Sequence, residues 1–355
     1  MNIRESTKAI KIDENTIIGG SNEVLIQSMC DIKTSETQKV INQINECAIL
    51  GAKLMRVSVL DENDAYSIAE IVKNINIPLI ADIHFDYKLA ILAMENGAKK
   101  IRINPGNIGS EENIVKIIET AKKYDVSIRI GVNSGSMDKE IYNYDTKLSA
   151  ELMVKSLEKY INIFEKHEFY NLVLSLKSTD IIETIDAYTL ASKKFKYPLH
   201  IGITEAGIKD DALIKSAAGL APLLLNGIGN TIRISITGDP KDEVIAAKKL
   251  LNYCGLYENV PTLISCPTCG RTEVNLVEIT NKVSEYLGKI NKAITVAIMG
   301  CVVNGPGEAK NADIGLAGGK NSFVLFKKGE IISKISQEDA YDALIKHIEN
   351  ILENY

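Results

Sequence analysis

Short runs in which apolar and polar residues alternate recur along the first part of the chain, at residues 24–29, 54–59, 78–83, 100–104, 127–132, 171–176, 199–204 and 231–236. Alternation over such lengths marks β-strands. Between them lie longer stretches, such as 37–50, 87–94, 112–123 and 180–195, whose apolar residues return every three to four positions, as amphipathic helices require. Gly51 and Gly97 follow helical runs where a left-handed cap is expected. Eight strand–helix units within about 250 residues predict a (β/α)8 TIM barrel. An open, doubly wound sheet is the competing fold, but no G-x-G-x-x-G run follows the first strand to favour it.

The alternation also sorts side chains by face. In LMRVSV, Arg56 and Ser58 share one face, while Met55, Val57 and Val59 share the other. KIRIN pairs Arg102 with Asn104, SIRIGVN pairs Arg129 with Asn133, and TIRIS pairs Arg233 with Ser235. The apolar faces suit packing under the outer helices, so the polar faces must point into the barrel near its C-terminal mouth. Asp82 and His84 of ADIHFD, Lys177 of SLKSTD and Glu205 of GITEAG fall at the same mouth. The chain has 41 basic residues, of which only six are arginine, so four of six arginines lie in these strands. Arginine is the residue for planar, bidentate recognition, and a phosphate or diphosphate is its natural partner. The alternative is that individual arginines are buried structural ion pairs.

After about residue 257 the composition changes. SCPTCGRT, a helix near 280–290, the strand AITVAIMG, a glycine-rich stretch, a hairpin at 322–335 and a closing helix at 337–353 predict a separate α+β domain over 258–355, with the barrel occupying 1–257. Cys266 and Cys269 form a C-x-x-C, and Cys301 follows 32 residues later. A C-x-x-C serves zinc sites, redox dithiols and iron–sulfur centres alike. Structural zinc wants a fourth Cys or His, and no histidine lies between Cys301 and His347; a simple dithiol leaves Cys301 without a purpose. Three thiolates with a weaker fourth ligand suit an iron–sulfur cluster, and Glu308 is the nearest carboxylate to Cys301. Cys47 lies on a helix face and is expected in the core.

Charge and hydropathy narrow the partners. The net charge of -5 argues against a general nucleic-acid binder. No apolar run approaches the ~20 residues of a membrane helix, and the first residues lack the apolar core of a secretory signal, so a cytoplasmic protein is expected.

SCPTCGRT, MGCVVNGPGEA and ADIGLAGGK, together with ADIHFD, IRINPGNIG and IRIGVNSGS, resemble the 4-hydroxy-3-methylbut-2-en-1-yl diphosphate synthase family in its short two-domain bacterial form. The resemblance implies reductive ring opening of 2-C-methyl-D-erythritol 2,4-cyclodiphosphate in the non-mevalonate isoprenoid route, with ferredoxin or flavodoxin as electron donor. It implies a [4Fe–4S] cluster on Cys266, Cys269, Cys301 and Glu308. Substrate contacts carried over by matching positions are Arg56, His84, Arg102, Asn104, Arg129, Asn133, Lys177, Glu205, Arg233, Ser235 and Asn304. Glu205 is the candidate proton donor, with His84 beside it in the catalytic set. The family also implies a homodimer whose active site is completed between chains. Competing readings are a zinc-binding, non-redox barrel protein and a barrel like that of dihydropteroate synthases with a structural tail; the latter leaves Cys301 and Glu308 unused.

Overall fold

The computed structural model describes residues 3–133, 149–301 and 309–353. The chain divides into two compact units, Met1–Leu256 and Tyr257–Tyr355.

Eight parallel strands form the first unit: β3 (Leu25–Met29), β4 (Leu54–Val59), β5 (Leu79–Ile83), β6 (Lys100–Ile103), β7 (Ser127–Asn133), β8 (Leu172–Lys177), β9 (His200–Ile201) and β10 (Thr231–Ile232). Their order is β8-β7-β6-β5-β4-β3-β10-β9, and a parallel bridge between Leu174 and Leu199 joins the two ends. The ring is closed, as the strand–helix count predicts.

Helices α1 (Thr37–Leu50), α2 (Glu62–Ile71), α3 (Tyr87–Glu95), α4 (Pro105–Ile108), α5 (Glu111–Tyr124), α6 (Ala150–Lys166), α7 (Ile181–Lys194), α8 (Lys209–Leu225) and α9 (Pro240–Tyr253) belong to the same unit. Many start on a side chain that accepts from the first turn, including Asp61, Asp86, Ser149, Asp180 and Asp239. Gly51 and Gly97 take the expected positive φ after α1 and α3.

Two features depart from the expected pattern. β9 and β10 are far shorter than 199–204 and 231–236. A Cβ at Gly202 would lie 2.9 Å from Lys177 Nζ and 2.8 Å from the Arg233 carbonyl, so the lysine side chain crosses the chain where regular pairing stops. In addition, a small hairpin, β1 (Ile10–Lys11) and β2 (Ile17–Ile18), precedes the barrel. Its Ile10, Ile12 and Ile18 cluster with Leu25, Leu54, Ile80 and Val173, near the starts of the strands, and stop the end of the barrel away from the mouth. Buried Arg4 donates to the carbonyls of Gly229 and Leu224, so this arginine is structural.

The second unit is a five-stranded sheet in sequence order: β11 (Thr262–Ser265), β12 (Thr295–Met299), β13 (Ile314–Gly319), β14 (Ser322–Lys327) and β15 (Glu330–Ser336). The first two pairings are parallel and the last two antiparallel. Helices α10 (Leu276–Leu287) and α11 (Ala340–Glu353) bury Leu276, Ile279, Val283, Leu344 and Ile348 against Val296, Ile298, Ile314 and Leu316.

Candidate active site

The parallel register aligns the charged positions. Asp82 on β5 pairs with Arg102 on β6, which pairs with Arg129 on β7. With side chains from five other parts of the barrel they line a cavity of about 340 Å³ at the C-terminal end of the strands. Of the expected contacts, Arg56, His84, Arg102, Arg129, Asn133, Lys177, Arg233 and Ser235 line it, together with Asp82, Asn107, Ser175 and Thr204. Gly131 faces inward between them: a Cβ there would come 3.3 Å from Arg102 Nε, so the bare backbone gives the guanidinium its path.

Asn104 and Glu205 are not among the lining residues. Asn104 is buried, and its Oδ1 accepts from the Gly106 amide to cap α4, with Pro105 in the first turn. The same one-turn helix brings Asn107 to the cavity in its place. Glu205 is exposed, one residue beyond the lining Thr204, with a φ of 52°. A left-handed glutamate costs on the order of 1 kcal/mol, a strain that clusters at functional sites. Asn304 and Glu308 lie outside the described residues.

The cations are only partly neutralised. Asp82 sits 3.2 Å from Arg102 Nη1 and 3.5 Å from Arg56 Nε. Glu243, from the first turn of α9, takes Arg233 in a two-pronged grip at 2.9 Å on each oxygen, and also accepts from Ser28 Oγ and the Ile236 amide. Arg233 is therefore tied into a structural ion pair, the alternative weighed from the sequence, while its guanidinium still lines the cavity. Met29 Sδ lies against the guanidinium groups of both Arg56 and Arg233. Arg56, Arg102, Arg129, Lys177 and Arg233 thus face two carboxylates, and Arg129 Nε and Nη1 have no partner among the described residues. Unpaired buried charge is costly, so this arrangement calls for an anion. Burial, reinforced by the surrounding arginines, drives the Lys177 ammonium well below its ordinary range. His84 Nδ1 is also buried without a partner among the described residues.

Glu243 has a sequence signal that went unused. It shares the stripe of Ala247 and Leu250, the buried face of α9, and a carboxylate on such a stripe requires a cationic partner.

Burial pushes the Asp82 carboxyl up, but Arg56, Arg102 and Arg129 outweigh it and hold the group at about 2. The folded value lies below the unfolded one. Its contribution, about 2 kcal/mol, is therefore present above pH ~4 and lost as the pH falls toward 2. Denaturant melts from pH 5 to 2 should show the difference between wild type and Asp82→Asn shrinking by about that amount. A difference constant across the window would contradict the pairing.

In the second unit, Cys266 follows β11 directly and Cys301 follows β12 by two residues, so both sit at the C-terminal ends of neighbouring parallel strands. The Gly300 amide donates to Cys266 Sγ at 3.1 Å, and the Cys269 amide donates to Thr272 Oγ1. A Cβ at Gly300 would meet that same Thr272 hydroxyl at 2.9 Å, so the C-x-x-C loop packs directly on the residue before Cys301. Hydrogen bonds from the Arg271 backbone and side chain lower the Cys269 thiol, favouring the thiolate a metal needs. Among the described residues no three His, Cys, Asp or Glu side chains converge as a metal site. Cys47 is buried in the barrel wall as expected, and Cys30 is buried with its thiol pushed up by desolvation.

Fold and site together define a class: a closed (β/α)8 barrel with a cation-lined cavity at its mouth, followed in the chain by a smaller unit with Cys266 and Cys301 at strand ends and Cys269 in the loop after Cys266. Family models match both parts, the GcpE TIM-barrel domain over residues 7–248 and the GcpE protein C-terminal domain over 262–350. The chain belongs to the GcpE family. It is 51% identical over 350 residues to a 4-hydroxy-3-methylbut-2-en-1-yl diphosphate synthase (flavodoxin) of Caldanaerobacter subterraneus subsp. tengcongensis, covering 99% of this chain and 98% of that one. It is 48% identical over 355 residues to the protein of the same name from Bacillus subtilis strain 168, covering 99% and 93%. Among solved structures, the dihydropteroate synthase of Stenotrophomonas maltophilia superposes with a TM-score of 0.52 at 14% identity, over 70% of this chain and 98% of that one. That likeness concerns the fold alone.

Proposed function

We infer that this chain catalyses the reductive ring opening and dehydration of 2-C-methyl-D-erythritol 2,4-cyclodiphosphate to 4-hydroxy-3-methylbut-2-enyl diphosphate, with flavodoxin delivering the two electrons. The observation that carries the reading is the cation excess at the cavity: four guanidinium groups face two carboxylates, and Arg129 Nε and Nη1 have no partner among the described residues. A cyclic diphosphate supplies the missing negative charge and acceptor oxygens. In this reading the barrel, 1–257, binds substrate and the second domain, 258–355, holds the redox centre. We place the reaction in the cytoplasm, where thiols stay reduced.

The donor set of the second unit fits a [4Fe–4S] cluster. Cys266, Cys269, Cys301 and Glu308 would hold it; the amide–sulfur bond from Gly300 and the lowered Cys269 thiol favour thiolate ligands. When bound, such a cluster supplies the electrons that no side chain can provide for breaking a C–O bond. The protein's own groups do the rest. Arg102 and Arg129, with Arg56 and Arg233 braced by Asp82 and Glu243, fix the diphosphate. Lys177, His84, Asn133 and Ser235 complete its surroundings. We assign proton delivery for the departing water to Glu205, held in its strained turn next to Thr204. Anaerobic reconstitution followed by iron, sulfide and zinc analysis tests the centre. About four irons per chain with a visible absorption band is the expected result; a colourless zinc protein would return the reading to a non-redox barrel.

We also propose a homodimer in which the cluster domain of one chain caps the barrel of the other. α9 follows the last strand and runs back from the mouth; at 1.5 Å per residue it descends roughly 20 Å. The chain therefore leaves the barrel at the end opposite its own mouth, and a two-fold pair supplies each mouth with the partner's cluster domain. Mixing inactive Arg129→Ala with inactive Cys301→Ser should then restore part of the activity, because one site of the mixed dimer carries neither change. Proven subunit exchange without recovery would contradict this arrangement.

A further inference from the structure

Below the cavity the barrel interior stays polar for one more layer. Alternation along β6 places Lys100 on the inward face with Arg102, two residues nearer the start of the strand. His200 on β9 and Gln27 on β3 take inward positions in the same way, two residues before Gly202 and Met29. All three are fully or almost fully buried, and the isoleucine cluster of the hairpin closes the barrel beneath them.

Acceptors are scarce in this layer. Among the described residues, Lys100 Nζ, His200 Nε2, both polar atoms of the Gln27 amide, and Arg129 Nε and Nη1 have no hydrogen-bond partner. His200 Nδ1 meets Thr231 Oγ1 at 2.7 Å. The charges acting on Lys100 come from Arg129 on β7 and Arg56 on β4, both cations. Asp82 on β5 is already held between Arg56 and Arg102. Lys177 on β8 faces the same arginines, as does His200; Tyr188 on α7 spends its hydroxyl on the His200 carbonyl.

An ammonium at this place makes no hydrogen bond among the described residues and feels two guanidinium groups. An uncharged amine there avoids the cost of a buried, unpaired charge beside those two groups. We propose that Lys100 is a further residue of the substrate site, an uncharged amine in the free protein that takes up a proton when the diphosphate enters the cavity above it. The proposal rests on the diphosphate reading of the cavity. Burial first, then Arg129 and Arg56, hold this amine well below the ordinary lysine range. The incoming anion reverses that field. At an effective dielectric of about 20, each negative charge some 7 Å away favours the protonated amine more than tenfold. The new ammonium then lies under the diphosphate as a counter-charge, and Arg129 is pinned between the two.

The test is the proton count on binding. Full-length protein, reconstituted but without electron donor, is titrated with 2-C-methyl-D-erythritol 2,4-cyclodiphosphate by calorimetry near pH 8, in buffers of differing ionisation enthalpy. Wild type should take up about one more proton per ligand than Lys100→Met, which keeps an unbranched chain as far as Cε and removes the amine. Comparing the two variants cancels any uptake at Lys177 or His200. In parallel, 13Cε-lysine NMR of the wild type should show one uncharged amine at neutral pH that moves to the charged position on ligand addition; this keeps the proposal testable should the variant fold poorly. Normal binding with equal proton counts, or a charged Lys100 in the free protein, overturns the role of Lys100 alone. A wild type that gives no binding heat overturns the cyclodiphosphate reading, and the role of Lys100 with it.

Discussion

Cys301→Ser will lose iron on reconstitution and will turn over substrate on the order of 1000-fold more slowly, or not at all. That factor corresponds to about 4 kcal/mol of transition-state stabilisation. Cys301 sits two residues past β12, next to the Gly300 amide that bonds Cys266 Sγ, so its backbone runs beside the C-x-x-C loop. A serine hydroxyl is a poor iron ligand, and without the centre there is no source of electrons. The barrel is untouched, so the same variant should bind cyclodiphosphate with near-normal affinity in calorimetry. Full iron content and full activity in Cys301→Ser would remove this cysteine from the site.

Arg129→Lys should weaken cyclodiphosphate binding by roughly 10- to 100-fold, or ~1–3 kcal/mol, the range of charge-assisted hydrogen bonds. Of the four cavity arginines, Arg102 and Arg56 share Asp82 and Arg233 is gripped by Glu243, while Arg129 is buried with two nitrogens unsatisfied among the described residues. It is the one of the four with no ion pair to a carboxylate among the described residues. Lysine keeps the charge and loses the fork, so the comparison isolates geometry from charge. Direct titration reads the effect without turnover. Unchanged affinity would mean that the diphosphate lies elsewhere.

The strands of the barrel were legible where alternation ran for five or six residues between apolar neighbours, as in 54–59, which β4 reproduces residue for residue. They were overread at 199–204 and 231–236, where regular pairing ends at Ile201 and Ile232; the Lys177 side chain packed against Gly202 is a tertiary event with no local signal. The hairpin of Ile10 and Ile18 was missed because two-residue strands carry no period to detect. The arginines of the cavity stood out because the chain otherwise uses lysine. Their partners did not, since the meeting of Asp82 with Arg102 is fixed by parallel register, which spacing within one strand cannot reveal. Asn104 shows the limit of pattern most clearly. It lies on the inward face of its run, yet Asn followed by Pro is also a helix start, and the local cap won.

On the proposed reading, a cation-lined barrel and a thiolate-held redox centre together open a cyclic diphosphate. Anaerobically reconstituted protein, supplied with reduced flavodoxin and 2-C-methyl-D-erythritol 2,4-cyclodiphosphate and followed by 31P NMR, tests it most directly. The expected result is loss of the cyclic diphosphate resonances and the appearance of those of linear 4-hydroxy-3-methylbut-2-enyl diphosphate, dependent on the reductant. Cyclodiphosphate that stays intact in the presence of iron-replete protein and reduced flavodoxin would mean that this chain does not open the ring.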